Sequence, residues 1–206
     1  DFAPDENIHI QWGFAPAASE PRLYKVRLPA AQAFARANSI DKVIFKERKK
    51  LAIVTSGKAY LDVRQALDEL GLDDEKCKRI GISLYKVGMV WPLEDKKILD
   101  FVEGHKEVLV IEEKRSIVED QLTKYLYNKK TRPIIIGKND ENGDLLVPSE
   151  GELSPSSVAL IIAERINKLS LKIDLSEKIK LIEDFLLSIN QSPASNLFRL
   201  PSFCAG

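Results

Sequence analysis

The sequence predicts an α/β fold: a three-layer α/β/α arrangement around a mostly parallel sheet of about five strands. Four short apolar runs carry the prediction: Leu-Ala-Ile-Val at 51–54, Ile-Gly-Ile-Ser-Leu at 80–84, Val-Leu-Val-Ile at 108–111 and Pro-Ile-Ile-Ile at 133–136. Near-continuous runs of this kind read as strands buried on both faces. Amphipathic helical segments separate them, and parallel neighbours need such crossovers to return over the sheet. In folds of this type ligands usually bind outside the carboxyl ends of the strands.

The elements follow in chain order. Residues 1–40 read as an N-terminal arm or linker, 41–170 as the α/β domain, and 171–206 as a C-terminal helix and linker. The stretch 12–21 is rich in Ala and Pro with no sustained period, so it reads as a linker or surface-hugging arm. A short helix is predicted over 29–38, with Ala30, Ala33, Phe34 and Ala37 on one face. Val43 to Phe45 reads as a short strand, and the polar turn at 46–50 lets it pair antiparallel with the next strand or sit at an edge. From 58 to 70, Tyr60, Val63, Leu67 and Leu70 recur at helical spacing, and Gly71 supplies the left-handed residue of a helix end. After Pro92, the segment 94–102 buries Ile98, Leu99 and Val102. Ser116 and Glu119 have capping-box spacing ahead of the stripe Val118, Leu122 and Tyr125. Asn142-Gly143 favours a tight turn with positive φ. Ser154-Pro155 is an N-cap with proline at the first helical position, and Val158, Ile161, Ile162, Ile166 and Leu169 line that helix. A last helix, 176–189, is amphipathic through Ile179, Ile182, Phe185 and Leu186, and 191–196 reads as a second linker.

Composition narrows the function classes. A chain of 206 residues accommodates one domain of about 150 residues plus arms, burying roughly 70% of its unfolded surface. Lys plus Arg and Asp plus Glu both number 31, so no net charge steers the chain toward nucleic acid or an anionic membrane. No apolar stretch approaches the ~20 residues of a membrane span. The acidic start, Asp1 to Asn7, has neither the basic nor the apolar region of a signal peptide. A start without Met and an end in Cys204-Ala205-Gly206 read as cuts through a longer polypeptide. The two cysteines, Cys77 and Cys204, lie far apart and make no disulfide framework, which favours a reducing, cytoplasmic compartment.

Candidate chemistry is sparse, and no catalytic set is predicted. Thr55-Ser56-Gly57 sits at a strand-to-helix turn where backbone N–H groups can receive an anion. It lacks the Walker and Gly-x-Gly-x-x-Gly patterns, so glycine as a steric need of the turn is the preferred reading. Glu112-Glu113-Lys114-Arg115 follows the most apolar strand, at the carboxyl edge of the sheet. Three readings stand: an interface between domains, a solvated ion-pair cluster worth under ~1 kcal/mol, and a ligand site with shifted pKa values, preferred in that order. Ser56, Gly57, Glu112, Glu113, Lys114 and Arg115 are thus the weak cofactor-binding candidates. His9 and His105 are expected at the surface, too far apart for a triad or metal cluster. Cys77, between Lys76 and Lys78, is expected to be a passive thiol. The acidic stretch 140–144 has its glycine in the wrong place for an EF-hand and reads as a turn.

Several phrases, in order, resemble one family. They are Leu-Ala-Ile-Val-Thr-Ser-Gly-Lys-Ala-Tyr at 51–60 with Ala66-Leu67, Leu-Tyr-Lys-Val-Gly-Met-Val-Trp-Pro-Leu at 84–93, and Val-Ile-Glu-Glu-Lys-Arg at 110–115. Arg-Pro-Ile-Ile-Ile-Gly-Lys at 132–138 and Gly-Glu-Leu-Ser-Pro at 151–155 complete the set. Together they resemble the thiamine-diphosphate-dependent 2-oxoacid ferredoxin oxidoreductases, most closely the indolepyruvate branch, from about Leu23 to the end. The resemblance implies a modular, dimeric enzyme that decarboxylates an arylpyruvate on thiamine diphosphate with Mg. Electrons pass through iron–sulfur clusters to ferredoxin, and an acyl-CoA is released. It implies that this segment is the intervening domain, similar to the C-terminal domain of transketolase, packed between thiamine-binding domains of the same polypeptide. The end departs from the family pattern. Phe203-Cys204-Ala205-Gly206 resembles the start of the family's Cys-x-Gly-Cys-Pro-His motif, but the second Cys and the Pro-His are missing. One thiolate does not fill a cluster site of about four ligands. The family's thiamine-binding acidic residue and Gly-Asp-Gly are absent too, so binding of neither group is expected. A flavodoxin-like nucleotide or flavin module is the competing reading, with a ligand near 55–57 and Glu112-Glu113. A receiver domain is weaker still, because Glu112 has no matching acidic pair after the first strand.

Overall fold

The computed structural model describes residues 8–9, 16–47 and 49–190, and the linker after Asn190 with Cys204 lies outside the described residues. Strands β1 (Lys42–Phe45), β2 (Leu51–Ser56), β3 (Ile82–Val87), β4 (Glu107–Ile111) and β5 (Ile134–Ile136) form one sheet in the order β1-β3-β2-β4-β5. β2 runs parallel to β3 and β4, and β4 parallel to β5. Only β1 is antiparallel, and it pairs with β3 at the edge rather than with the next strand, β2. The predicted α/β class with five mostly parallel strands is the one observed.

The alternation of β2 explains the layering. Leu51 and Ile53 enter one apolar core, while Ala52 and Val54 enter the other. On the first face lie α3 (Gly57–Glu69), α4 (Asp74–Ile80), α7 (Pro155–Lys168) and α8 (Ser176–Asn190), through residues such as Val63, Cys77, Ile162 and Ile182. On the second lie α5 (Asp95–Val102) and α6 (Val118–Leu126), through Ile98, Phe101 and Leu122. The N-terminal part is more helical than its composition predicts. α1 (Pro16–Arg22) continues through a π-helical stretch, Leu23–Arg27, into α2 (Leu28–Ala37). α2 is tied to the second face where Gln32 Nε2 donates to the Leu93 carbonyl at 2.6 Å.

Several local expectations give way to tertiary packing. Ser116 and Glu119 form no capping box: α6 has no side-chain cap of its own at Ile117. Phe185 does not join the buried stripe of α8; it is 53% exposed while Ile182 is buried. α4 was not expected, although its signals are local: Asp73 accepts from the Lys76 N–H at 2.8 Å, and Gly81 closes the helix at φ +101°. Cys77 is fully buried in that helix, and burial pushes its thiol up to about 12, as a passive thiol requires. His105 is buried rather than at the surface, with Nε2 3.0 Å from Ser83 Oγ and Nδ1 3.3 Å from the Val102 carbonyl. Its position just before β4 places the ring against β3, which no sequence spacing reveals.

The amino edge of the sheet is closed by a buried ion pair. Arg165 of α7 meets Glu107, the first residue of β4, through Nε–Oε1 at 2.9 Å and Nη2–Oε2 at 2.6 Å. Glu141 adds a second carboxylate at 2.9 Å. Removing one partner leaves an uncompensated buried charge. Arg165→Met is therefore expected to lower unfolding free energy by about 3–5 kcal/mol. In urea denaturation the double variant Arg165→Met/Glu107→Leu should recover most of that loss; equal losses in both would contradict the assignment.

His105 sets a pH dependence. Burial holds its imidazole down to about 4, against an ordinary 6.5. Between those values the unfolded chain takes up a proton that the folded chain refuses, so stability falls as pH drops from 6.5 toward about 4. The denaturation midpoint of His105→Gln should fall less steeply over that window than that of the parent chain.

Candidate functional site

The strand order makes a switch point between β2 and β4. β2 crosses through α3 on the first face to reach β3, whereas β4 crosses through α6 on the second face to reach β5. The connections after β2 and β4 leave in opposite directions, and a crevice opens at the carboxyl ends of these two strands. Its lining is Ser56, Gly57, Lys58, Ala59, Val90, Glu112, Glu113, Arg115 and Ile117, around about 210 Å³. Five of the six weak candidates thus meet in one place, and Lys114 is the exception.

Most of these groups are engaged within the fold. Gly57 opens α3 at φ +53°, a conformation that favours glycine, and Ser56 before it makes no side-chain cap bond. The Glu112 carboxylate is buried and accepts from the Val118 N–H at 3.0 Å and the Glu119 N–H at 3.1 Å. It supplies the cap that Ser116 was expected to give. Glu113 accepts from the Leu153 N–H at 3.1 Å and from Lys58 Nζ at 3.3 Å. Lys58 also donates to Asp62 at 2.9 Å and to the Leu153 carbonyl at 2.9 Å, and these contacts, Asp62 foremost, hold its ammonium charged to higher pH than usual. Lys114, in a left-handed conformation at φ +58°, donates to the Gly151 carbonyl away from the crevice.

A second layer supports the first. Lys138, beyond β5, donates to the Glu112 carbonyl at 2.6 Å, and burial lowers its pKa. Glu119 accepts from the Lys138 N–H at 2.9 Å, and burial raises its carboxyl. A Cβ on Gly137 would meet that carboxylate, so a larger residue there would displace the Glu119 side chain. Gln121 clamps the rim. Its Nε2 donates to the carbonyls of Val90 and Ile117, each at 2.8 Å, and its Oε1 accepts from the Leu93 N–H at 2.8 Å. Nothing in the sequence marks Gln121, Lys58 or Lys138, because their roles depend on strands brought together from distant positions.

Arg115 differs from its neighbours. Among the described residues it has no hydrogen-bond or ion-pair partner, and it is exposed. Beside it Val90 and Ile117 are 40% and 45% exposed, and Trp91 is 59% exposed.

The donor set does not fit the cofactors implied by the resemblance. A thiamine diphosphate with Mg needs free carboxylates and a larger cavity than about 210 Å³, since cofactor pockets ordinarily span roughly 300–1,000 Å³. Both crevice carboxylates are occupied by N–H groups and Lys58. Among the described residues no three His, Cys, Asp or Glu side chains converge as metal ligands. The acidic stretch after β5 is a turn: Asp140 accepts from the N–H groups of Asn142 and Asp144, and Gly143 adopts φ +91°. Among the described residues no helix is long and apolar enough to cross a membrane.

The family model for the indolepyruvate oxidoreductase domain matches residues 41–186. The indolepyruvate oxidoreductase subunit IorA of Thermococcus kodakarensis is 31% identical over 119 residues, covering 58% of this chain and 16% of the relative. IorA of Pyrococcus abyssi is 29% identical over 118 residues, covering 57% and 16%. The chain thus spans only 16% of the length of these curated relatives. Among solved structures, a 2-oxoglutarate:ferredoxin oxidoreductase from Magnetococcus marinus, with 2-oxoglutarate, coenzyme A and succinyl-CoA bound, is 19% identical. It covers 75% of this chain and 24% of its own, with a TM-score of 0.43. A split-gene transketolase is 18% identical, covering 65% and 42%, with a TM-score of 0.41.

The bonding pattern separates two kinds of residue at the crevice. Glu112→Ala is expected to cost about 1–3 kcal/mol, because α6 loses its cap and buried N–H groups lose their acceptor. Arg115→Ala should change stability by less than about 0.5 kcal/mol. Chemical denaturation of both variants checks the contrast, and equal destabilisation would contradict it.

Proposed function

The chain belongs to the indolepyruvate oxidoreductase domain family, and from that premise we propose that it is a non-catalytic interaction domain of a larger oxidoreductase. The larger enzyme, in this reading, is a dimeric, cytoplasmic, thiamine-diphosphate-dependent 2-oxoacid ferredoxin oxidoreductase. It oxidatively decarboxylates arylpyruvates such as indolepyruvate to acyl-CoA, with ferredoxin as electron acceptor. Thiamine diphosphate, Mg and the iron–sulfur clusters reside on neighbouring domains of the same polypeptide.

One observation supports this reading above others. At the switch point, where an α/β enzyme would keep its reactive groups, Glu112, Glu113 and Lys58 are all engaged in joining helices to the sheet. A general acid or base must reach its substrate through a free heavy atom at hydrogen-bond distance. Glu112, Glu113 and Lys58 hold the fold instead. The only histidine ring in the described α/β body, His105, is buried at the opposite edge of the sheet.

The test combines activity and binding. The purified chain is incubated with indolepyruvate, thiamine diphosphate, Mg²⁺, CoA and oxidised ferredoxin, and ferredoxin reduction is followed optically. No reduction above background is expected, and turnover by these residues alone would overturn the proposal. A thermal-shift series with flavins, nucleotides and CoA runs in parallel. A specific ligand at a hundredfold excess over its Kd stabilises by about 2.7 kcal/mol, and such a shift with a flavin or nucleotide would favour a binding module.

A further inference from the structure

We propose that the cavity between β1 and α5 binds a small amphipathic monoanion, an apolar body bearing one carboxylate. The cavity measures about 380 Å³ and shares no lining residue with the switch-point crevice. Its apolar lining is Val43 of β1, the Tyr85 ring of β3 and Phe101 of α5. The Tyr85 and Phe101 rings are buried and pack with centroids 4.9 Å apart. Buried Asp41 fixes this floor. Its Oδ2 accepts from the Tyr85 hydroxyl at 3.1 Å, and its Oδ1 accepts from the N–H groups of Gly88 at 2.8 Å and Met89 at 3.2 Å. Small-molecule sites are ordinarily preformed in this way, mostly apolar with a few placed polar groups.

Charge identifies the ligand. Lys42, Lys46 and Lys97 line the same cavity, and among the described residues none of them has a carboxylate at ion-pair distance. Lys46 Nζ donates to the Asp100 carbonyl at 2.9 Å and lies 5.4 Å from the centre of the Phe101 ring. Lys97 Nζ donates to the Arg36 carbonyl at 2.9 Å and to the Ser39 hydroxyl at 3.1 Å. Burial, and then nearby Lys49, lower the pKa of Lys46, which the Asp100 and Glu103 carboxylates offset only in part. A partly buried ammonium without a counter-ion is costly, and a bound anion supplies one. With Asp41 and Asp100 as its only carboxylates, the cavity carries one positive charge in excess, the complement of a monoanion. Phosphates are typically held by free backbone N–H groups or by the arginine fork. Here the Gly88 and Met89 N–H groups are taken by Asp41, and no arginine lines the cavity. A carboxylate is the head group that three lysines suit.

Phenylacetate is the probe, titrated into the isotope-labelled 206-residue chain while amide shifts are followed by NMR. Saturable shifts centred on Ser39, Val43 and Phe101 are expected, with a Kd of about 1 mM or tighter. Lys42→Gln and Lys46→Gln should each weaken binding about tenfold, as loss of one charge-assisted hydrogen bond does. Neutral phenylacetamide should bind at least about tenfold more weakly than phenylacetate. Lys129→Gln, the same charge change at an exposed site ahead of β5, should leave affinity within about twofold. A dispersed amide spectrum confirms that each variant is folded. Shifts that do not saturate, equal binding of phenylacetamide, or indifference to both cavity lysines overturns the site. Tighter binding of phenyl phosphate than of phenylacetate overturns the carboxylate assignment. The site is independent of the interaction-domain reading, which stands whether or not phenylacetate binds.

Discussion

The carboxylate of Glu112 constrains this structure more than any other single group. It ends the central strand pair and accepts two N–H groups from the first turn of α6, which has no cap of its own. The same residue's carbonyl receives Lys138 from beyond β5. Its neighbour Glu113 holds Lys58 of α3 and the backbone ahead of α7. Two consecutive carboxylates therefore fasten helices from both faces of the sheet to the end of β4. A buried carboxylate is tolerable only when N–H donors or cations surround it, so the surrounding elements cannot move independently.

The two edges of the sheet divide the work. At the amino edge, the Arg165–Glu107 pair and the His105–Ser83 bond close the structure away from water. At the carboxyl edge the same type of charged residue leaves a shallow crevice with apolar walls and one free guanidinium. Buried charge pairs are costly to desolvate and contribute more to specificity of packing than to net stability. Here the Arg165–Glu107 pair fixes where α7 sits, while α6 is placed by its N–H groups on the Glu112 carboxylate.

The chain belongs to the indolepyruvate oxidoreductase domain family, and the bonding at the switch point shows how its polar groups are used. A fold class alone supports many functions, so the functional reading has to rest on the site. The site carries polar groups that are already satisfied and apolar groups that are not. Satisfied polar groups stabilise architecture, whereas exposed apolar groups on a rigid frame are suited to association.

The sequence by itself determined the central strands β2, β3 and β4, their burial and most helix positions, because these follow from local periodicity; β5, at the edge, is the exception, with Ile134 54% exposed where its apolar run predicts burial on both faces. Runs such as 108–111 can only be satisfied inside a sheet, and Ser154-Pro155 caps α7 through the Ser157 N–H at 3.1 Å as its local chemistry demands. It also located the residues around the crevice, since strand ends in an α/β pattern mark it. Tertiary structure alone decided what those residues do. Glu112, six residues before Val118, displaced Ser116 as the cap because β4 aims its carboxylate along the axis of α6. His105 became buried because β3 lies against it, and Phe185 stayed exposed although Ile182, one turn earlier on α8, is buried. Hydrogen-bond partners and burial depend on elements far apart in the chain, and periodicity carries no information about which of them will meet.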